Sequence, residues 1–524
     1  MAHCDLLSAI DGDVLVGVVW IYAAYTGITL VYNAYFSPLS GIPGPWYAAV
    51  SDTYILFVAA RFIQCNTLHS LFERYGPIVR VGPRRVVFCD RAAVKNVYCT
   101  HRLEKSPFYK ALMADDHDHS MTSLSEVEHN KRRRTFASHY TMSHISRFEP
   151  HIKECVTRLV EVLETRPLGS VDSIHTLRHL LVDIIRTTVF GMSPLALNNF
   201  ASNMKDPICD AVRDFFLRAV LHSSIPSLIW SALAYLPHMR WKGLYQSDNV
   251  LASFVRQRLH ELQADSSQPG QWSSSCDRST PLMLRMLAQQ MSGSKDALSD
   301  QDIVSECISH LVAGVDTSAV TFGFMLWELS RRPDVVQRLR DELDEVVPDR
   351  RTIPDHSVLA KQPYLSAFLN EGFRMYGAVS ALLERVVPDK GGGAHAHSFD
   401  ILGFEIPPGT IVGTQAWSMH RDPDVFPSPE AFWPERWLPS HPDDGERLAK
   451  MSQHLMPFGA GTRACPGRYQ AQIVFRATLA ALVLNFDLSA DPRETSETTM
   501  APRDAFMVQP AARECRLTFA PRPQ

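Results

Sequence analysis

Phe458 to Gly467 reads FGAGTRACPG, and its residue types suit a metal-bound sulfur. Two glycines, Gly459 and Gly461, let the loop turn and let backbone N–H groups approach Cys465. Pro466 fits the first position of a helix, where its missing N–H costs nothing. The apolar run QIVFRATLAALVLNF that follows supplies that helix, and a helix N-terminus favours a thiolate over a thiol. Gly467 leaves room for a flat cofactor to lie close, and Arg463 can meet an anionic group on it. A bare Cys-x-Gly reads more readily as a buried structural cysteine in a glycine-rich turn. The ten-residue combination is far more specific.

A second stretch carries a different chemistry. Leu298 to Pro333 holds one long helical pattern, with Ser299 and Asp302 spaced as a capping box and Arg331-Arg332-Pro333 as a stop. Inside it lies Ala313-Gly314-Val315-Asp316-Thr317. A mid-helix glycine costs up to about 1 kcal/mol relative to alanine, so Gly314 marks a groove where something approaches the backbone. An acid followed by an alcohol, Asp316 then Thr317, offers a path for protons. A small-residue contact in a core helix is the alternative reading.

The elements that must position these residues follow from patterning. Val79 to Asp90, VRVGPRRVVFCD, alternates like a hairpin about a Gly-Pro. Helical periodicity dominates from about 125 to 265 and resumes to about 376. Strands and turns run from Arg385 to Gln415, and the stretch from Asp265 to Pro281 reads as a surface loop. No internal repeat or interdomain linker appears. The expected fold class is mainly α with a smaller β part (α+β), in a single large catalytic domain.

Val14 to Phe36 has no charged residue and is long enough to span a bilayer as a helix. Positive charge first appears after it, at Arg61, Arg74 and Arg80, which places the body in the cytosol. The acidic start, with Asp5, Asp11 and Asp13, argues against a cleaved signal peptide. The expected organisation is residues 1–13 lumenal, 14–36 transmembrane, 37–50 a proline-rich hinge and 51–524 catalytic. Net charge is −4, and nothing suggests a nucleic-acid partner. The ten cysteines form no CxxC pair, so neither a disulfide scaffold nor a zinc site is indicated. Asp115-Asp116-His117-Asp118-His119 reads as a solvated loop rather than a metal site.

FGAGTRACPG resembles the haem-ligand loop of the cytochrome P450 family of haem-thiolate monooxygenases, and the likeness extends over nearly the whole chain, in membrane-bound fungal style. The resemblance implies haem b (iron protoporphyrin IX) as cofactor, with Cys465 as the axial iron ligand. It implies that Thr317 hydrogen-bonds dioxygen and Asp316 relays protons, with Ala313 and Gly314 beside the cofactor. Glu371 and Arg374 match the family's ExxR helix, and Arg436 resembles the arginine completing a structural triad. His129 and Arg133 in HNKRRR, Arg385 in LERVVP, and Arg463 match cations at the propionate edge, with Phe458 and Gly467 in the loop itself. Lys131, Arg132 and Arg134 are expected at the surface. Apolar AVSALL (378–383) and AFM (505–507) imply a lipophilic substrate. Trp230 and Trp241 flank a stretch that either dips into the membrane surface or packs in the core.

The resemblance further implies an NADPH-cytochrome P450 reductase as partner, with cytochrome b5 as an additional donor. It implies a single-pass position in the endoplasmic reticulum membrane and a role in secondary-metabolite (terpenoid or polyketide) biosynthesis. Fatty-acid or xenobiotic hydroxylation is the alternative within that chemistry. A reductase-independent isomerase or dehydratase is a further one, and would leave Asp316 and Thr317 idle.

Overall fold

The structure, a computed structural model, describes residues 12–523 apart from 167–168, 226, 234, 236–237, 267–278, 348 and 390–398. The expected lumenal segment lies outside the described residues up to Asp11, as does most of the expected surface loop between Asp265 and Pro281. Helix accounts for 58% of the chain and strand for about 10%, an α+β mixture.

The helices that matter for the site are labelled here in chain order: α1 (Gly12–Val31), α2 (Glu126–Phe136), α3 (Ser173–Thr188), α4 (Pro207–Ser224), α5 (Met239–Ser266), α6 (Asp300–Ser330), α7 (Pro363–Tyr376) and α8 (Arg468–Asn485). Helix α6 starts at the expected capping box: Ser299 accepts from Asp302 N, and the Asp302 side chain accepts from Ser299 N. It runs through the core, buried on nearly every side. Helix α3 crosses it closely. Leu177, Leu180, Leu181, Ile184 and Ile185 are buried on α3, each worth about 1.5–3 kcal/mol when fully removed from water.

The main sheet has five strands: β1 (Ile78–Gly82), β2 (Arg85–Phe88), β3 (Glu104–Lys105), β4 (Leu382–Val386) and β5 (Ile411–Gln415). Their order is β1-β2-β5-β4-β3. The expected hairpin is β1–β2, antiparallel, with Val79 opposite Val87. Strands β4 and β5 are antiparallel, and β4 carries Arg385. A terminal hairpin, β6 (Pro502–Ala505) and β7 (Met507–Pro510), projects Phe506 from its tip at φ 67°. The side chain of Ala505, expected against substrate, lies outside the described residues.

Helix α1 continues as a π-helical turn to Phe36, and from Val16 to Phe36 none of it is buried. Twenty-one residues at about 1.5 Å each reach across about 30 Å of hydrocarbon, which fits a single-pass anchor. Helix α6 is also long and apolar, but it is mostly buried and belongs to the core. The proline-rich segment packs against the body. Leu39, Ile42 and Ala48 are buried, Arg80 N donates to Pro43 O at 2.8 Å, and the Arg80 guanidinium donates to Asn33 O at 2.8 Å. Its apolar side chains dock on the sheet, so the stretch is tied to the body.

The stretch around Trp230, left open between membrane surface and core, divides between the two, and one surface expectation is corrected. Trp230 is buried, stacked on Tyr245 with centroids 5.5 Å apart and edge-on to Trp241 at 5.7 Å, while Leu228, Ile229 and Tyr235 are exposed. The segment from Asp115 to His119 is a hub of contacts rather than a solvated loop. Asp115 N is held by Asp248, Asp118 pairs with Lys110, and His117 Nε2 lies 2.9 Å from Asp302. His119 is buried, 3.0 Å from Leu112 O.

Candidate functional site

One cavity brings together residues from the cysteine loop, the distal helix, HNKRRR, LERVVP, AVSALL and AFM. Cys465, Phe458, Gly467 and Arg463 form its floor, and Ala313, Gly314 and Thr317 of α6 form the opposite wall. The sulfur of Cys465 is accessible by surface area, and that area is cavity wall. Surrounding protein pushes its thiol up, while the Gly467 N–H and the Arg133 and Arg468 charges pull it down.

The loop earns its glycines. Gly459 and Gly461 sit at φ 71° and 72°, and a Cβ on Gly461 would meet Tyr98 O at 2.0 Å. Cys465 N donates to Phe458 O at 2.8 Å, closing the turn. Helix α8 begins at Arg468, so Pro466 stands in the turn before it rather than at the first helical position. The Phe458 ring packs against Phe373 at 5.4 Å.

Behind the loop, the ExxR pair is fully buried. Arg374 donates to both Glu371 oxygens at 2.7 and 2.9 Å, and Arg436 Nε donates to Glu371 at 3.1 Å. Trp433 N and Trp437 Nε1 complete the carboxylate's bonds at 2.8 and 2.9 Å. Arg374 also donates to His420 O and Pro429 O, so the network fixes the segment leading into the loop. The second ExxR, Glu328/Arg331, is also an ion pair, at 3.1 Å, but lies off this cavity.

The cationic edge is larger than expected. His129, Arg133, Arg385 and Arg463 line the cavity, and Lys105 of β3 joins them. No carboxylate lines the cavity among the described residues, and none of the four cations makes a salt bridge there. Arg133 donates to Ala464 O at 2.9 Å, Arg385 to Glu384 O at 2.7 Å, and Arg463 to Leu124 O and Ser125 O at 2.7 and 2.8 Å. Burial, with Arg385 and Arg463 adding repulsion, holds the Lys105 ammonium well below its usual range. Burial together with Arg463, Lys105 and Arg133 lowers His129 to about 3, so its ring is neutral. An edge of basic side chains with no salt-bridge partner among the described residues fits a ligand carrying two carboxylates. A Cβ on Gly467 would meet only the Cys465 sulfur, at 3.8 Å, and would otherwise stand in the cavity. Both observations fit a haem, whose propionates these basic residues would hold and whose iron Cys465 would ligate.

The HNKRRR segment divides differently from the sequence reading. Arg132 is buried rather than exposed, because its face of α2 packs on the start of α6, where it pairs with Asp302 and approaches Glu306 to 3.7 Å. Lys131 is half-buried and Arg134 is exposed.

On α6, Thr317 Oγ1 donates to Ala313 O at 2.6 Å. Asp316 does not line the cavity. It is fully buried and paired with Arg178 of α3 at 2.7 Å, with Oδ2 unpartnered among the described residues. Burial raises its carboxyl and Arg178 opposes that. Gly314 lines the cavity and also makes the small-residue contact that the sequence offered as the alternative. A Cβ there would meet Ile185 Cδ1 at 2.8 Å, and one on Gly323 would meet Ile174 at 2.3 Å. The close approach is that of α3.

Sequence reasoning missed Leu181, Ile184 and Ile185, which α3 contributes to the cavity, and also Lys105, His310 and Tyr140. The apolar three-and-four spacing on α3 was visible, but it has the same form as ordinary core packing. Above the floor the lining is apolar, with Phe216, Val379 and Phe506 among it, and Phe506 lies nearly parallel to Phe216 at 6.0 Å.

Comparison with known proteins agrees with this geometry. The Cytochrome P450 family model matches residues 53–515. The chain is similar to the cytochrome P450 monooxygenase cypX of Dothistroma septosporum, 26% identical over 95% of this chain and 94% of that one. It is 28% identical to the tryprostatin B 6-hydroxylase of Neosartorya fischeri, over 90% of this chain and 81% of the relative. It is 27% identical to the cytochrome P450 monooxygenase aflV of Aspergillus parasiticus, over 96% of this chain and 95% of that one. A thiol facing a small-residue helix across an acid-free cavity, and a match over most of the chain, lead to one conclusion: the chain belongs to the cytochrome P450 family of haem-dependent monooxygenases.

Proposed function

We propose that this enzyme hydroxylates or otherwise oxidises a lipophilic secondary metabolite of terpenoid or polyketide type, at the endoplasmic reticulum membrane, with electrons from an NADPH-cytochrome P450 reductase. The observation that carries the reading is the apolar cavity between Cys465 and Thr317, whose charged groups are confined to one cationic edge. Its relatives include a tryprostatin B 6-hydroxylase, which supports hydroxylation as the reaction.

Haem, when bound, supplies the dioxygen-activating chemistry. Cys465 would ligate its iron, and Arg133, Arg385, Arg463 and His129 would hold its propionates. Phe458 and Gly467 shape the ligand side; Ala313 and Gly314 leave space on the oxygen side. Thr317 turns its hydroxyl from Ala313 O toward the cavity and positions a proton there. Asp316, whose Oδ2 has no hydrogen-bond partner among the described residues, supplies protons when the Arg178 pair opens. Glu371, Arg374 and Arg436 hold the loop.

We infer the topology from the exposed apolar helix up to Phe36, with residues 51–524 as the cytosolic catalytic domain, and cytochrome b5 as a second electron donor. The test is a product screen in a host expressing this chain with a reductase. NADPH-dependent hydroxylated product supports the reading. Conversion without reductase points to an isomerase or dehydratase, and turnover of simple fatty acids alone points to a fatty-acid hydroxylase.

A further inference from the structure

The distal helix holds more proton-bearing groups than the roles above use. Asp302, Glu306 and His310 recur at every fourth position of α6 and share one face. Glu306 is fully buried, and its Oε2 accepts from Ser120 N at 2.9 Å. Its Oε1 has no hydrogen-bond partner among the described residues and lies 3.7 Å from His310 Nε2, which is unpartnered as well. Across the same ring, Nδ1 lies 3.0 Å from Tyr140 Oη. His310 and Tyr140 both line the cavity. At the outer end, Asp302 and His117 are partly exposed and paired with each other.

We propose that Glu306, His310 and Tyr140 form a proton line into the cavity, separate from Asp316. The proposal rests on the monooxygenase reading, because reducing one dioxygen to water and an inserted oxygen atom consumes two protons. Glu306 gives its carboxyl proton from Oε1 to His310 Nε2. The imidazole passes its Nδ1 proton to Tyr140 Oη, and the Tyr140 hydroxyl releases its own proton to the acceptor in the cavity. Bulk water restores the Glu306 proton past His117 and Asp302. One proton enters and one leaves, and no electron moves.

The Tyr140 hydroxyl is held in its protonated form by burial, with Cys465, Cys307 and Glu306 nearby, so it gives a proton only as it takes one from His310. Burial shifts Glu306 toward its protonated form, opposed by Ser120 and Arg132 and reinforced by Asp302. Burial, with His119 and Arg133 nearby, lowers His310 to about 3, leaving a neutral ring able to receive. Phe136 holds that ring edge-on at 4.8 Å, which fixes its orientation toward Glu306 and Tyr140. The 3.7 Å gap is beyond hydrogen-bond reach, and catalytic contacts commonly tighten when cofactor and substrate bind. Asp316, by contrast, is absent from the cavity wall and tied to Arg178.

The test uses the full-chain holoenzyme with an NADPH-dependent reductase and dioxygen as the probe. Oxygen consumption is read in water and in deuterium oxide, beside the spectrum of the reduced carbon monoxide complex. Tyr140→Phe and Glu306→Gln are expected to keep the spectrum, to slow consumption about tenfold or more, and to enlarge the solvent isotope effect. The double variant is expected to be no slower than the slower single one. Glu306→Asp, which keeps a proton carrier, is expected to consume oxygen faster than Glu306→Gln. Rates within about twofold of the parent with an unchanged isotope effect, additive losses in the double variant, or equal rates for the two Glu306 variants overturn the line. A parent holoenzyme lacking the thiolate-type spectrum would instead sink the haem-thiolate reading itself.

Discussion

His420, behind the cysteine loop, and His310, on the distal helix, are both buried and both lowered by burial to about 3. Their surroundings differ. Met456 N donates to His420 Nε2 at 2.9 Å, so Nδ1 carries the proton and donates to Arg374 O at 2.9 Å. Both ring nitrogens are spent on the main chain, linking the ExxR helix to the residue that opens the cysteine loop. His310 has one nitrogen engaged and one free. The contrast extends to the carboxylates. Glu371 collects five donors, whereas Glu306 and Asp316 each keep an oxygen with no partner among the described residues. A saturated network rigidifies and is costly to break; an unsaturated one is held ready for transfer. One side of the cavity is scaffold for the sulfur, and the other is poised for protons.

The largest effect is expected on the scaffold side. Glu371→Ala leaves Arg374 and Arg436 as buried, unpaired cations and should cost about 3–5 kcal/mol. Thermal unfolding and the yield of haem-loaded protein measure it, and a melting temperature equal to the parent's would break the comparison. Acid should then act on both sides. A histidine whose folded pKa is depressed contributes stability that is complete above its unfolded value, near 6.5, and is lost as pH falls toward about 3. Each of His420 and His310 should therefore steepen the loss below pH 6.5 by roughly 1.4 kcal/mol per pH unit. Denaturant unfolding against pH checks this, and His420→Asn should flatten the curve by one proton. An unchanged slope contradicts the neutral, doubly bonded ring.

A smaller effect belongs to the cationic edge between the two sides. Lys105→Met should ease repulsion in the haem-free chain yet loosen haem in the loaded one, by about 1.5–3 kcal/mol for a lost charge-assisted bond. Haem transfer to a scavenging apoprotein reads the second sign, and unaltered retention counts against Lys105 as a propionate partner. The smallest effect is expected at Gly314→Ala. The added methyl meets the movable end of Ile185 and should cost about 1–2 kcal/mol, recovered by adding Ile185→Val. No recovery would mean that helix crossing is not the reason for the glycine.

The cysteine loop, the capping box of α6, the β1–β2 hairpin and the fold class were legible because each has a local signature. Backbone φ demands glycine, capping has a fixed spacing, and strand alternation has period two. Residues defined by partners distant in sequence were not legible. Arg132 read as a surface charge because its partners Asp302 and Glu306 lie far along the chain. Gly314 read as a close approach, but its partner Ile185 is invisible from its own helix. Lys105 stood alone in sequence and gained meaning only when β3 paired with β4, beside Arg385. His310 and Tyr140 carried no motif at all.

The most direct measurement is the spectrum of the reduced carbon monoxide complex for the purified parent chain and for Cys465→Ala. The parent should show the red-shifted band of a thiolate ligand and the variant should lose it while α6 and its cavity remain folded. The same band in both proteins would mean that the iron takes its ligand from another side chain, and the division into a sulfur scaffold and a proton side would fail.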